Sequence, residues 1–151
     1  MGLLTDEHRA AIGTKSKPVS VEVSRRDIRK YSVATEQQQE RYLSGDEAPP
    51  LFVFGLFSNI PPLDSYRPDG IPRGGGGGVK LPLKRVMAGG TEFRQHRPIR
   101  PGDKLTGSSV MTDLYEKEGR TGPLIFTVRE FNVTTESGEP VIDEISTTIA
   151  R

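Results

Sequence analysis

Histidine is the side chain whose ordinary pKa lies nearest neutral, and this chain has two, His8 and His96. His96 stands inside FRQHRPIRPGDKL, residues 93–105. There it could move a proton in an acid–base step, or it could simply pack on a strand. The other conspicuous stretch is RGGGGGVK, residues 73–80. A glycine loop that cradles phosphate continues Gly-Lys-Ser/Thr into a helix. Here Gly78-Val79-Lys80-Leu81-Pro82 follows, so a flexible loop is the expectation. No nucleophile elbow occurs, so a Ser–His–Asp arrangement is not indicated. With no cysteine and two histidines, a thiol nucleophile, a disulfide framework and a zinc centre are all disfavoured.

A chain of 151 residues suggests one domain. The net charge is +1, from 21 basic and 20 acidic residues, which argues against nucleic acid as partner. No apolar run approaches the roughly 18 residues that span a bilayer. The start, MGLLTDEHRAAIG, is too polar for a signal peptide. A cytoplasmic location is therefore expected, with no membrane partner. The apolar fraction is 33%, with 17 glycines and 12 prolines. That is a lean core, and chains of this kind often bury further surface in an oligomer.

Those candidate residues need elements to hold them. Residues 3–12 read as a short helix capped by Thr5 or Asp6 and stopped by Gly13. VSVEV (19–23) alternates as a half-buried strand does. Ser24 with Asp27 forms a capping-box pattern that starts a helix running to about Ala34. TEQQQERYLSGDEA (35–48) is polar and reads as a surface segment. PPLFVFGLFSNI (49–60) is open to a strand reading, since Phe and Val favour strands, but a long buried helix that begins near Pro49 is preferred, since prolines suit a first helical turn. Residues 61–80 are loop. From Gly89 onward the text is strand-like: GTEFRQHRPI, then an Arg100-Pro101-Gly102-Asp103 type II turn, KLTGSSVMTDLYE, a hairpin, PLIFTVREFNVTT, a tight turn and VIDEISTTIA. In the last strand Val141, Ile145 and Ile149 share a face. The layout is α+β, an antiparallel sheet wrapped around one central helix. Residues 1–14 form an N-terminal helical extension. Residues 15–151 form a single domain with a Gly-rich loop at 70–80.

The order IRKYSVAT, APPLFVFG, AGGTEFRQHRPIRPGDKL and GRTGPLIFTVREFNVTTESGEPVIDEISTTIAR resembles the N-terminal-type domain of MaoC-like dehydratases. This is also called the fatty-acid-synthase-type dehydratase domain, and it has a hot-dog fold. The resemblance covers about residues 15 to 151. It implies action on thioesters of coenzyme A or acyl carrier protein, with water added or removed across the 2,3-double bond. No cofactor is implied beyond the coenzyme A or carrier that is part of the substrate.

The family's catalytic signature is Asp-x-Asn-Pro-x-His, after the first helix. Aligning YSVAT on the family's tyrosine–alanine stretch puts Gln37 at the Asp and Tyr42 at the His, with Gln39 and Glu40 between. Glutamine cannot accept a proton near neutral pH, and a tyrosine, with an ordinary pKa of roughly 10, is a poor base. A register one residue off would make Glu36 or Glu40 the carboxylate, still with no histidine beside it. The family holds the thioester oxygen on amides at the start of the central helix. Ala48-Pro49-Pro50-Leu51 stands there, and prolines have no N–H to offer.

His96 lies far from that loop, so packing on a strand is its expected role. Tyr31 and Tyr42 could line an acyl channel. Lys80 and Arg85, with Arg67, Arg73 and Lys84, could attract coenzyme A phosphates. The resemblance thus implies a non-catalytic, substrate-shaping half of an enoyl-thioester hydratase. It would pair as a homodimer or as a heterodimer with a MaoC-like subunit that supplies Asp and His. Two alternatives stand beside it. One is a self-sufficient homodimeric hydratase or thioesterase that uses Glu36, Glu40 or His96. The other is a thioester-binding module with no activity.

Overall fold

The computed structural model describes residues 2–58, 61–70 and 79–151. Residues 71–78, and with them most of the glycine-rich loop, lie outside the described residues. The chain begins with α1 (Asp6–Ala10), whose cap is Thr5: its hydroxyl meets the His8 amide and its own amide donates to His8 Nδ1 at 2.9 Å. After β1 (Val19–Glu22), Ser24 Oγ accepts from the Asp27 amide at 3.0 Å. That bond satisfies one orphan donor of α2 (Arg25–Ala34).

Two expectations about the next segment need correction. The polar stretch 35–48 is not wholly on the surface: it forms α3 (Glu40–Leu43), and Tyr42 is buried. Nor is there a long central helix from Pro49. The helix α4 is Phe52–Leu56 only. The reason is local. A residue before proline avoids the helical region, so Pro50 disfavours a helix that runs through Pro49 and delays the start. Gly55 then weakens the interior by about 1 kcal/mol, and Pro61-Pro62 bars continuation.

Four long strands follow, β2 (Val86–Gln95), β3 (Lys104–Gly119), β4 (Gly122–Thr135) and β5 (Pro140–Ala150). With β1 they form a five-stranded antiparallel sheet in the order β1-β3-β4-β5-β2. The β2 strand starts earlier than expected and stops at Gln95. His96 is therefore just beyond the strand, although its amide still donates to Val141 O at 2.9 Å. Pro98 explains the stop, since it has no N–H for the ladder. Gly119 pairs with Gly122 across a two-residue hairpin, and Gly138, at φ +86°, makes the last turn.

Directly paired residues share a face of a sheet, and the register shows which face is the core. Val21, Leu105, Val133, Ile142 and Phe93 belong to one cluster, with Ile28 of α2 and Phe52 and Val53 of α4. A second cluster, Met111, Leu114, Ile125 and Ala150, lies toward the other end of the same face. Leu4 and the segment with Val79, Leu81 and Leu83 cover it. One β-bulge keeps both clusters on one side. Met111 pairs with Arg129 and Asp113 with Val128, so Thr112 is an extra, unpaired residue. Of the three residues expected on one face of β5, Ile145 and Ile149 share a face that points away from α4, with Ile145 40% exposed, whereas Val141 is buried in the first cluster, at a register shift opposite Val133 and Thr134.

Candidate functional site

The loop that follows α2 is a closed network of short hydrogen bonds. The Gln37 amide donates to Ser32 O at 2.9 Å, and Gln37 Nε2 donates to Thr35 Oγ1 at 3.2 Å. Glu36 sits at φ +53° and is exposed, as is Glu40. Tyr42 is only 6% exposed. Arg41 lies over its ring, 4.7 Å from the centroid, and Arg41 Nη2 donates to its hydroxyl at 2.9 Å. Arg41 also pairs with Glu47 at 3.4 Å. The phenol is thus buried, and its hydroxyl accepts from a guanidinium that itself reaches solvent.

Tyr31 leaves α2 on its inner side and meets Phe52 edge-on, with ring centroids 5.6 Å apart. The first-turn amides of α4 are partly spent: Phe52 N donates to Pro49 O at 3.0 Å and Phe54 N to Leu51 O at 3.2 Å. Pro49 and Pro50 thus precede the helix and are not its first donors, which corrects the placement made from the sequence.

The RPIRPGD segment turns out to be a clasp. Arg97 Nη1 and Nη2 donate to the two oxygens of Asp103 at 3.2 and 3.0 Å, and the Arg100 amide donates to Asp103 Oδ2 at 2.8 Å. Gly102 N donates to Val23 O and Val23 N to Asp103 O, both at 2.8 Å. Ala48 N donates to Ile99 O at 2.8 Å. The turn therefore fastens the end of β1 and the approach to α4 to the sheet. Gly102, at φ +87°, is in the conformation that the turn requires.

Lys80 and Arg85 stand at the other end of the sheet. His8 Nε2 lies 3.1 Å from Lys80 O, and Arg85 exchanges backbone hydrogen bonds with Arg151 at 3.1 and 2.8 Å. Lys84, Arg85 and Arg151 line an open pocket there, of about 520 Å³, beside the β3–β4 hairpin. Within one chain Lys80 and Arg85 are not brought to Tyr31 and Tyr42. Among the described residues no cluster of His, Asp and Glu has the make-up of a metal site, and no helix is long and apolar enough to cross a membrane.

His96 does have a partner that sequence reasoning missed. Its Nε2 lies 2.6 Å from Asp143 Oδ2, and Asn132 Nδ2 donates to Asp143 Oδ1 at 2.9 Å. The His96 contact, and then the Asn132 bond, hold the Asp143 carboxyl below its ordinary range. A depressed acid contributes stability above its ordinary pKa and loses it as pH falls through its folded value. Replacing His96 with alanine should cost about 0.2–1 kcal/mol at pH 7, as for a partly exposed pair. The deficit should shrink in acid below about pH 4, which melting curves of both proteins across pH will test.

A second overlooked group is Glu144, 9% exposed, on the face beneath α4 between Phe131 of β4 and Phe93 of β2. Burial pushes its carboxyl up. A raised acid favours the fold most below its ordinary pKa, and that contribution is lost as pH rises through the folded value. Glu144→Gln should therefore raise the melting temperature at pH 7 by about 2–4 °C, equivalent to roughly 1 kcal/mol in a chain of this size. The gain should vanish near pH 4.

A family model described as "FAS1-like, dehydratase domain region" matches residues 10–144. Over 85 residues the chain is 32% identical to the mesaconyl-C(4)-CoA hydratase of Chloroflexus aurantiacus, a match covering 56% of this chain and 30% of that protein. The chain thus spans under a third of that relative. Among solved structures, the C-terminally truncated HadBC (3R-hydroxyacyl-ACP dehydratase) complex from Mycobacterium tuberculosis superposes with a TM-score of 0.66 at 19% identity. That match covers 93% of this chain and 97% of the other. The ChsH1-ChsH2 complex from the same organism gives 0.66 at 17% identity, over 90% of this chain and 83% of the other.

Proposed function

Because the chain belongs to the FAS1-like dehydratase domain region family and has the hot-dog fold, we propose that it is the substrate-shaping half of an enoyl-thioester hydratase. Hydration adds hydroxide to C3 and a proton to C2, and it needs a base and an acid within hydrogen-bond reach. The observation that carries the reading is the loop after α2. Gln37 has no basic group to offer, and Tyr42 is buried against Arg41. Both chemical roles then fall to a second hot-dog unit that bears Asp and His.

The β2 edge supports pairing. It is ten residues long, among the described residues no strand pairs with its outer side, and Val86 is 66% exposed and Met87 38%. A bare edge of that length invites another strand. The short α4 supports the shaping role, because a helix that ends at Leu56 covers less of the sheet than a long one. The substrate is the thioester of an enoyl acid on coenzyme A or on acyl carrier protein.

The test is hydration of a trans-2-enoyl thioester by the pure chain and by the chain mixed with a MaoC-like subunit that carries Asp-x-Asn-Pro-x-His. Turnover only in the mixture is expected. A mixture no faster than the second subunit alone, with no complex formed, would reject the pairing.

A further inference from the structure

We propose that the acyl group this chain receives ends in a second carboxylate, which Arg129 binds on the open middle of the sheet's core face. This rests on the hydratase reading for the thioester, but the preference can be measured with thioesters that cannot be hydrated.

The register places rows of side chains across the face that α4 covers. One row holds Phe131, Glu144 and Phe93. Two rings from above rest on it: Phe54 of α4 meets Phe93 with centroids 5.7 Å apart, and Phe57, just past α4, meets Phe131 at 5.5 Å. The next row, about 7 Å further along the strands, holds Arg129, Ser146 and Thr91. On β3 that row ends in Met111, which lies in the cluster covered by Leu4, Leu81 and Leu83. Toward β2 it is open. Thr91 is exposed, as is Thr148 one row on, and Arg129 and Ser146 are half-buried. The result is a trough about 10 Å wide from β4 to β2, with an aromatic wall at α4 and a polar floor.

Folding does not account for this floor. The packed face of an antiparallel sheet is ordinarily apolar. Threonine suits a strand in its own right, but arginine does not. Burial pulls the Arg129 guanidinium below its ordinary range, as it does for a cation partly removed from water. A bound anion offsets that cost, and a planar fork of N–H groups takes a carboxylate through two parallel hydrogen bonds. Arg129 already makes a contact in the fold, and its five donors leave others for a ligand. Ser146, paired directly with Arg129, and Thr91 beyond it bring hydroxyl donors to the same side. Glu144, on the diagonal from Arg129, is the group that would oppose an anion, and burial pushes its carboxyl up, toward the uncharged form. An alkyl tail is the poorer occupant, because it would strip water from these groups and leave them without partners. The trough opens at β2, the edge offered to the second hot-dog unit, so an acyl group held between the two units extends onto it.

The experiment titrates the full chain, by calorimetry, with glutaryl-coenzyme A and with valeryl-coenzyme A. Their acyl chains are equal in length and differ at the far end, a carboxylate against a methyl group. The native chain should bind the glutaryl thioester about tenfold or more tightly than the valeryl one, and the margin should narrow as salt rises. Arg129→Gln should abolish the margin and leave valeryl-coenzyme A affinity unchanged. Arg129→Lys, which keeps the charge but loses the fork, should retain part of it. Circular dichroism checks the fold of each variant. Where Arg129→Gln fails to fold, Arg129→Lys and Ser146→Ala carry the test, and both should narrow the margin. A native chain that binds the two thioesters equally, prefers the valeryl one or binds neither overturns the proposal. So does a full margin in Arg129→Gln, or in both milder variants. Absence of turnover in the mixture with a catalytic subunit rejects the hydratase reading alone, because neither probe has a double bond to hydrate.

Discussion

The pure chain should hydrate a trans-2-enoyl thioester at least 100-fold more slowly than the same chain mixed with a subunit carrying Asp and His. A positioned acid or base contributes typically 10²- to 10⁴-fold, and groups that act as a unit do not add when removed together. The 100-fold figure is therefore the lower bound for losing one such unit. Building Asp at 37 and His at 42 should not restore the rate. Tyr42 is 6% exposed and bonded to Arg41, so an imidazole placed there would lie in packing and not at a substrate. His96→Ala should lower stability more than any residual turnover, since His96 meets Asp143 past the end of β2, far along the chain from residues 35–44. Steady-state rates with and without the second subunit decide the matter. Brisk hydration by the pure chain, abolished by His96→Ala with the fold intact, would put the self-sufficient enzyme in its place.

Phe52→Ala should destabilise the chain by about 3–5 kcal/mol, the usual range for truncating a buried phenylalanine. Phe52 is 4% exposed and meets Tyr31 across α2 and α4. The five residues of α4 have no side-chain cap, and a helix that short does not persist alone. Its position depends on Phe52, on Val53 and on the Ala48–Ile99 hydrogen bond. Denaturant titration should show the full loss for Phe52→Ala. Tyr31→Phe, which keeps the ring, should cost under about 1 kcal/mol. Equal losses in the two variants would mean that the ring contact does not hold α4.

What could be read in the sequence was what neighbouring residues decide. Thr5 and Ser24 cap helices through residues three further on, and Gly102 and Gly138 turn the chain by their own φ angles. The α+β layout followed from the run of strand-like segments after a single central helix. The length of α4 was misjudged because the favourable reading of Pro49-Pro50 at a first turn overlooked what each proline imposes on the residue before it. The burial of Tyr42 could not be seen in a polar stretch, since it depends on α3 packing against α2. The Arg97–Asp103 clasp lies within RPIRPGD but was read only as a backbone turn, while the His96–Asp143 pair joins residues 47 positions apart, and no short window contains its cause. Glu144 was passed over because a strand that alternates evenly offers two faces, and only the register against β2 and β4 chooses between them.

Thr112 bears on how this chain tolerates loss of a residue. Side chains alternate with a strict period of two, so deleting one residue within β3 ordinarily turns everything beyond it to the other side. Deleting Ser109 would leave Leu105 facing inward and rotate Leu114 outward, splitting the two apolar clusters. Deleting Thr112 has the opposite outcome, because that residue is already surplus to the ladder and Met111 and Leu114 would still face the same way. Along β3, the site where the chain can be shortened by one residue with its inside and outside preserved is therefore the bulge, and length variation in this strand should concentrate there.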